Sequence, residues 1–362
     1  MNLQQLLEAV IHHKASDLHL QSNAVPTVRI DGKLHPLNTP ANSPEEMDVL
    51  AGELCDERQL AHLAEHRAVD FAITREGLGR FRVAMFHERG HKAAALRAIP
   101  HEIPTIDKLQ LPPVIKDIAE TPRGLVLVTG TTGSGKTSTL ASMIRHQNEK
   151  YAYRIITIED PIEFVQENKQ SLIAQREVGH DAESFLASLR EAVRQDPDVI
   201  LVGELRDPET LATALQAADT GHLVFSTVHT TSASQTLQRL VALFPLDRKE
   251  MLLGQLANNL VAIISQRLAR SADGHGRLPA VEILRQSPIT RKLILENKPA
   301  GLNQLIANRE NGMQLFDQHL ADLMQQKKIT LAEAQHLATS PEAVSMSSRG
   351  LRGGDLAGGL VS

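Results

Sequence analysis

"GLVLVTGTTGSGKTSTLASMIRHQNEK", residues 124 to 150, passes from an apolar run through a glycine-rich turn into a helical stretch. The turn holds Gly130, Gly135, Lys136 and Thr137 at the spacing of a phosphate loop. Its glycines let backbone N–H groups face phosphate oxygens, and the helix that follows adds positive potential at its N-terminus. Lys136 is placed to reach the β- and γ-oxygens, and the Thr137 hydroxyl to bind Mg²⁺. A strand before and a helix after supply the context that separates such a loop from a chance glycine-rich turn. Gly130, Thr131, Thr132, Gly133, Ser134, Gly135, Lys136, Thr137 and Ser138 are therefore read as a binding site for the phosphates of ATP or GTP.

Downstream of this loop the same alternation recurs. "RIITIEDP" (154 to 161), "DVILVGE" (198 to 204) and "HLVFSTVH" (222 to 229) are apolar, β-branched runs. Between them lie the helical stretches "DAESFLASLREAVRQ" and "DPETLATALQAADTG", the second ending with Gly221 as a C-cap. Strands alternating with helices predict an α/β fold with a parallel sheet. Ligands of such sheets bind at the carboxyl ends of the strands, which is where the acids fall. Glu159 and Asp160 end one strand and are candidates to hold magnesium or its waters, the alternative being that they cap the next helix. In "DVILVGELRD" the position at which many phosphate-loop enzymes carry a magnesium aspartate is Gly203, and the first acid is Glu204. A carboxylate there can orient the attacking water and take its proton, the alternative being a solvated loop acid. His222 and His229 flank the fourth strand, roughly 20 to 25 Å apart, too far to share a metal. His229, at the carboxyl end, is the better placed to read a γ-phosphate, although a lone histidine is as often structural.

Upstream, residues 1 to 100 read as a small α+β domain. "GRFRVAMF" alternates Arg80, Arg82 and Ala84 with Phe81, Val83 and Met85, as a strand does. Asp31-Gly32 sits between two extended stretches as a hairpin turn. Ser43 and Pro44 open a helical stretch that runs to His66. Prolines 100, 104, 112, 113 and 122 mark a connector, and from residue 245 onward the chain is expected to be mostly helical. The expected divisions are 1–100, a linker at 101–122, the nucleotide-binding core at 123–270, a C-terminal helical region at 271–340, and a Ser- and Gly-rich disordered tail at 341–362.

Composition narrows the class. A chain of 362 residues with 42% hydrophobic content supports two cores, and its formal charge of −5 lacks the basic surplus of a general nucleic-acid binder. Cys55 is the single cysteine, which excludes an internal disulfide and a multi-thiolate zinc site within one chain. This suits a cytoplasmic setting. No apolar run approaches the ~20 residues of a spanning helix, so work at a membrane is expected to pass through partners.

Four elements in this order, "GTTGSGKT", "ITIEDPIEF", "DPDVILVGELRD" and "TGHLVFSTVHTTSA", behind a small N-terminal domain, resemble the secretion ATPase superfamily. The resemblance is strongest to its twitching-motility ATPases of the PilT and PilU type, and it runs from "ASDLHL" to "GMQLFDQHLADL". It implies a PAS-like N-terminal domain flexibly joined to a RecA-like core, six copies in a ring, and a Mg²⁺-dependent ATPase that powers pilus retraction through an inner-membrane platform protein. It assigns Glu204 as catalytic base and Glu159 and Asp160 to magnesium or water, while His222 and His229 would link nucleotide state to domain movement. Arg82 and Arg97 would reach the nucleotide of a neighbouring subunit; without the resemblance, alternating arginines on a strand are most often its solvated face. Within the C-terminal hallmark AIRNLIRE, here "ITRKLILE", the second arginine is Leu295 and Thr290 and Lys292 also differ. That keeps open an accessory motor beside a second retraction ATPase. A divergent secretion ATPase, a non-enzymatic regulatory or scaffolding subunit, against which stand the intact Glu204, Lys136 and Thr137, and a RecA-type nucleic-acid translocase, against which stand the acidic balance and 3% aromatic content, are further alternatives.

Overall fold

A computed structural model describes residues 2–30, 32–99 and 102–348. The chain divides into two compact units, Met1–Ile103 with Asp160–Val165, and Pro104–Glu159 with Gln166–Ser362.

The first unit contains α1 (Leu3–His12), β1 (Asp17–Gln21), β2 (Thr27–Ile30), β3 (Lys33–Pro36), α2 (Pro44–Leu54), α3 (Glu57–His66), β4 (Ala68–Arg75), β5 (Gly79–Glu88) and β6 (His91–Ile99). Its six strands form one antiparallel sheet in the order β3-β2-β1-β6-β5-β4. The alternation in β5 has the expected consequence: Phe81, Val83 and Met85 turn into a core with Leu6 and Leu7 of α1 and Met47 and Leu50 of α2. The stretch from Ser43 to His66 forms two helices. Ser43 and Glu46 cap α2 reciprocally, and Asp56 and Gln59 do the same for α3. A side chain that can satisfy orphan N–H groups favours starting a helix over continuing one. At the expected hairpin, Ile30 pairs with Lys33 and Gly32 has φ +82°, while Asp31 lies outside the described residues.

The second unit contains α4 (Val114–Ala119), β7 (Gly124–Thr129), α5 (Lys136–Lys150), β8 (Arg154–Glu159), β9 (Leu172–Glu177), α6 (Phe185–Ala192), β10 (Val199–Val202), α7 (Pro208–Asp219), β11 (Leu223–Val228), α8 (Ala233–Ala242) and α9 (Lys249–Asn259). It continues with β12 (Leu260–Arg270), β13 (Arg277–Arg285), α10 (Pro288–Leu295), α11 (Ala300–Ala307), α12 (Phe316–Gln325), α13 (Leu331–Leu337) and α14 (Pro341–Ser348). The sheet order is β13-β12-β7-β11-β10-β8-β9, parallel except for the β12–β13 pair at one edge. Every residue of β7, β10 and β11 is buried, because helices cover both faces. On one side Leu211, Leu215, Leu237 and Leu252 pack on Leu127, Ile158 and Ile200. On the other, Ile115, Leu140, Met143 and Ile144 pack on Val126, Val128 and Phe225. Among the described residues, no helix is long and apolar enough to cross a membrane.

Three expectations need correction. Most of the proline-rich connector belongs to the second unit: Ile106, Leu111, Ile115 and Ile118 are buried against its sheet, so the apolar side chains between the prolines outweigh the breaks; Pro100 lies outside the described residues. The chain beyond residue 245 is not all helical, since "LVAIISQRLAR" and "RLPAVEILR" form β12 and β13. Their β-branched residues gain more by extending a buried sheet than by forming an isolated helix. The start of the expected disordered tail is α14, whose Val344 is fully buried with Leu320, Leu323 and Ala334. Residues 349–362 lie outside the described residues.

Buried His319 on α12 accepts a hydrogen bond at Nδ1 from the Val281 N–H of β13 (3.0 Å), and burial lowers its pKa to about 4. The folded state resists a proton that the unfolded chain accepts near pH 6.5. Stability is therefore full above pH 6.5 and falls between pH 6.5 and about 4, by roughly 3 kcal/mol. His319→Asn, which keeps an acceptor and removes the titration, should flatten that part of the profile in urea unfolding; an unchanged slope would place the titration elsewhere.

Candidate functional site

Strand register decides which of the sequence candidates meet. Thr129 at the end of β7 pairs with Val228 at the end of β11, and Val202 of β10 pairs with both Ser226 of β11 and Ile158 of β8. Gly130, His229, Glu204 and Glu159, at or within two residues of these ends, thus line the carboxyl edge of four neighbouring strands. At about 4.8 Å per strand the row spans about 15 Å.

The phosphate loop takes the conformation its glycines allow. Gly130, Gly133 and Gly135 have φ of +147°, +78° and +90°, and Gly135 leads directly into α5. Lys136 is buried, and its Nζ donates to the carbonyls of Gly130 and Thr131 at 3.0 and 3.1 Å. The ammonium is thereby held across the loop mouth. Thr137 and Ser138 follow in the first turn of α5, half-buried, while Thr131, Thr132 and Gly133 are exposed at the loop tip.

Glu204 lies between Arg206 and His229. Its Oε2 lies 2.8 Å from the Arg206 guanidinium, and Oε1 lies 3.5 Å from His229 Nε2. The loop holding it is tied to β11 by Leu205 N–H to Thr227 O (3.0 Å) and Thr227 Oγ1 to Gly203 O (2.6 Å). Gly203 itself donates to Ile158 O at 2.8 Å. A Cβ at this position would sit 3.1 Å from the Phe185 ring and 3.2 Å from Ile158 O. The place of the customary aspartate is therefore filled by Phe185 of α6. Glu159 Oε1 accepts from Thr157 Oγ1 (2.7 Å) and from Gln175 Nε2 (3.1 Å), which orients its carboxylate at the end of β8.

His222 is a different case. Its strand begins beside Gly124, so His222 stands at the opposite, amino edge of the sheet from the phosphate loop. There Nδ1 lies 2.8 Å from the Ala217 carbonyl and the backbone N–H donates to the same oxygen, closing the end of α7 with Gly221 at φ +111°. This is a helix-terminus role. Of the two histidines only His229 shares the carboxyl edge with the phosphate loop, as expected from its place after β11, and the length of that strand separates it from His222.

The remaining candidates lie in the first unit. Arg97 on β6 donates through Nε to Asp17 Oδ1 at 2.9 Å, and the same carboxylate faces Arg29. Hydrogen bonds from Ser16 and Arg97 hold the Asp17 carboxyl below its ordinary pKa, against an opposing effect of burial, which is the largest single influence. Arg82 on β5 is 3.6 Å from Glu163, and Arg80 donates to Ile162 O at 2.8 Å. The segment Asp160–Val165 counts with this unit, so Asp160 starts it while Glu159 ends β8 in the other.

Several residues at the site escaped the sequence reading. Gln266 of β12 contacts the phosphate loop, and Glu282 of β13, buried, accepts from Ala233 N–H at the start of α8 (2.8 Å), just beyond His229. Burial raises the Glu282 pKa. The readable signal was a polar side chain inside each apolar run, "IISQRL" and "AVEIL". A helical reading of this region hid it.

The close approach at Gly203 is testable. Gly203→Ala should destabilise the second unit by about 1–2 kcal/mol in urea unfolding, and Phe185→Leu in the same background should recover part of it. An unchanged midpoint would mean that Phe185 does not set this residue.

Comparison with known proteins gives the family. The family described as Type II/IV secretion system protein matches residues 1–345. The chain is 44% identical to a twitching motility protein of Neisseria gonorrhoeae over 88% of its own length and 86% of the relative's. It is 41% identical to the type IV pilus retraction ATPase PilT of Pseudomonas aeruginosa, over 94% of this chain and 99% of that one. A crystal structure of the pilus retraction motor PilT with bound ADP superposes with a TM-score of 0.87 at 45% identity, covering 94% of this chain and 98% of the other.

Proposed function

We propose, for a chain that belongs to the Type II/IV secretion system protein family, an ATP-fuelled motor that powers retraction of type IV pili. The chain is an ATP hydrolase of the PilT-like branch, with an α/β phosphate-loop core and a small α+β N-terminal unit. The observation that carries the reading is the row of Gly130, His229, Glu204 and Glu159 along one sheet edge.

In this reading the loop N–H groups and Lys136 hold the β- and γ-phosphates. Glu204 orients a water against the γ-phosphorus and takes its proton as the oxygen attacks. His229, exposed beside it, reports the γ-phosphate. Thr137 and Glu159 are hard oxygen donors, the type that Mg²⁺ takes, and Glu159 is already oriented by Thr157 and Gln175. The ion, when bound, neutralises charge on the phosphate oxygens. Six copies in a ring would let Arg97 and Arg82 of one subunit reach the nucleotide of the next, which makes turnover depend on assembly. Such a ring would work at the cytoplasmic face of the inner membrane through a platform protein.

A second reading, an accessory motor beside another retraction ATPase, rests on Leu295. It is 48% exposed at the end of α10, an apolar side chain where the family hallmark carries arginine. Deleting the gene distinguishes the two: surplus surface pili without twitching marks the principal motor, and near-normal twitching the accessory one.

Glu204→Gln should bind ADP as tightly as the parent while kcat falls by about 10²–10⁴. Turnover within a few-fold of the parent would remove Glu204 from the role of base. Arg97→Ala should keep nucleotide binding and lose about a thousandfold of the turnover of the assembled protein. Unchanged activity would leave Arg97 as a strand residue held by Asp17.

A further inference from the structure

Gln266 lies outside all four motifs, on a strand that arrives 130 residues after the phosphate loop, yet it is buried against that loop at 3% exposure. Register explains the meeting: Ser265 of β12 pairs with Thr129 of β7, so the next residue of β12 stands beside Gly130. Gln266 Nε2 donates to the Ser134 carbonyl at 2.7 Å, and Gln266 Oε1 accepts from Thr139 Oγ1 of α5 at 2.8 Å. Thr139 and Gln266 are both buried. The fit is close at both glycines, since a Cβ at Gly135 would come 2.7 Å from Gln266 Nε2 and one at Gly130 would come 2.5 Å from the Gln266 backbone carbonyl oxygen.

We infer that Gln266 is the positioning residue of the phosphate loop, acting on nucleotide binding through the Ser134–Gly135 peptide. That peptide is planar and trans, so its C=O and N–H point to opposite sides. With the Ser134 carbonyl anchored on Gln266, the Gly135 N–H faces away from β12, toward the place a phosphate occupies. The Thr139 hydroxyl decides which end of the amide does this. By donating to Oε1 it leaves the NH₂ group for Ser134, and the opposite flip would set carbonyl against carbonyl. The amide replaces a water that would otherwise solvate the loop carbonyl, so the loop is shaped before nucleotide arrives and less ordering remains to oppose binding. Gln266 touches no reacting atom, and its influence falls on ground state and transition state alike. KM should change more than kcat.

This inference rests on the phosphate loop being the ATP site, and the test separates the two. Gln266→Met removes both hydrogen bonds at nearly constant volume, and Gln266→Glu keeps the acceptor for Thr139 while losing the donor to Ser134. Calorimetric titration with ADP should show affinity reduced by at least about tenfold in each. KM for ATP should rise by a similar factor with kcat within about threefold of the parent. Thr139→Val, which leaves the amide in place without its orienting hydroxyl, should lose about three- to fivefold and provides a reading should either Gln266 variant fail to fold. Gln147→Met is the matched control, because Gln147 of α5 is equally buried and donates to Ala119 O at 2.8 Å, away from the loop. It should lose stability and keep ADP affinity within about twofold. A parent that binds ADP together with Gln266 and Thr139 variants within twofold of it would overturn the inference alone. So would a Gln147→Met protein weakened as much as they are. A parent that binds no ADP would overturn the nucleotide reading as well.

Discussion

Parallel pairing in register, Thr129 beside Val228 and Val202 beside both Ser226 and Ile158, brings side chains from four separate stretches to one sheet edge. Each strand is buried on both faces, so a one-residue slip would drive polar groups into the core and is opposed by the whole hydrophobic layer. The apolar runs therefore do more than stabilise. They set the depth at which the first polar residue after each strand emerges, and Glu204 and His229 come within 3.5 Å of each other for that reason.

The edge so formed is supported by buried polar groups. Thr227 and Ser226 bind the Gly203 and Val202 carbonyls, Gln266 binds the loop, and Glu282 binds the start of α8. In a low-dielectric interior a hydrogen bond of this kind is stronger and an unpaired partner more costly than in water. The β12–β13 pair supplies two of these contacts from an edge of the sheet. Gly203 completes the packing, since the Phe185 ring occupies the space where a side chain would stand. The absent aspartate is thus a packing feature that leaves Glu204 as the first acid on its strand.

In the first unit the arginines on β5 and β6 face acids of their own unit, Glu163 and Asp17. These pairs are partly exposed and contribute little to stability. Their effect is to order long side chains that would otherwise be free on the sheet surface. Glu163 belongs to "IEDPIEF", whose first acid, Glu159, ends a strand of the other unit, so one short motif contributes to both.

Motif spacing, strand-helix alternation and caps are local properties, and local properties were legible. The phosphate loop, the strand ends at Glu159 and Glu204, the β5 alternation and the Ser43 cap were all read from neighbours in the chain. Where several forces compete, the reading failed. "LVAIISQRLAR" carries no decisive periodicity, and only an open edge of a sheet laid down some 130 residues earlier turns it into β12. Prolines between 104 and 122 suggested a free linker, but Ile106, Ile115 and Ile118 found a sheet face to cover. His222 and His229 flank one strand, so its direction, already readable in the sequence, sends them to opposite edges. By itself, then, the sequence determined the fold class, the glycine-rich loop and the strand ends at which the acids fall, because glycine spacing and apolar runs act over a few residues. Which of these groups meet, what fills the space at Gly203 and which distant amide braces the loop were decided by tertiary structure, because strand register and side-chain packing join residues that no local pattern connects.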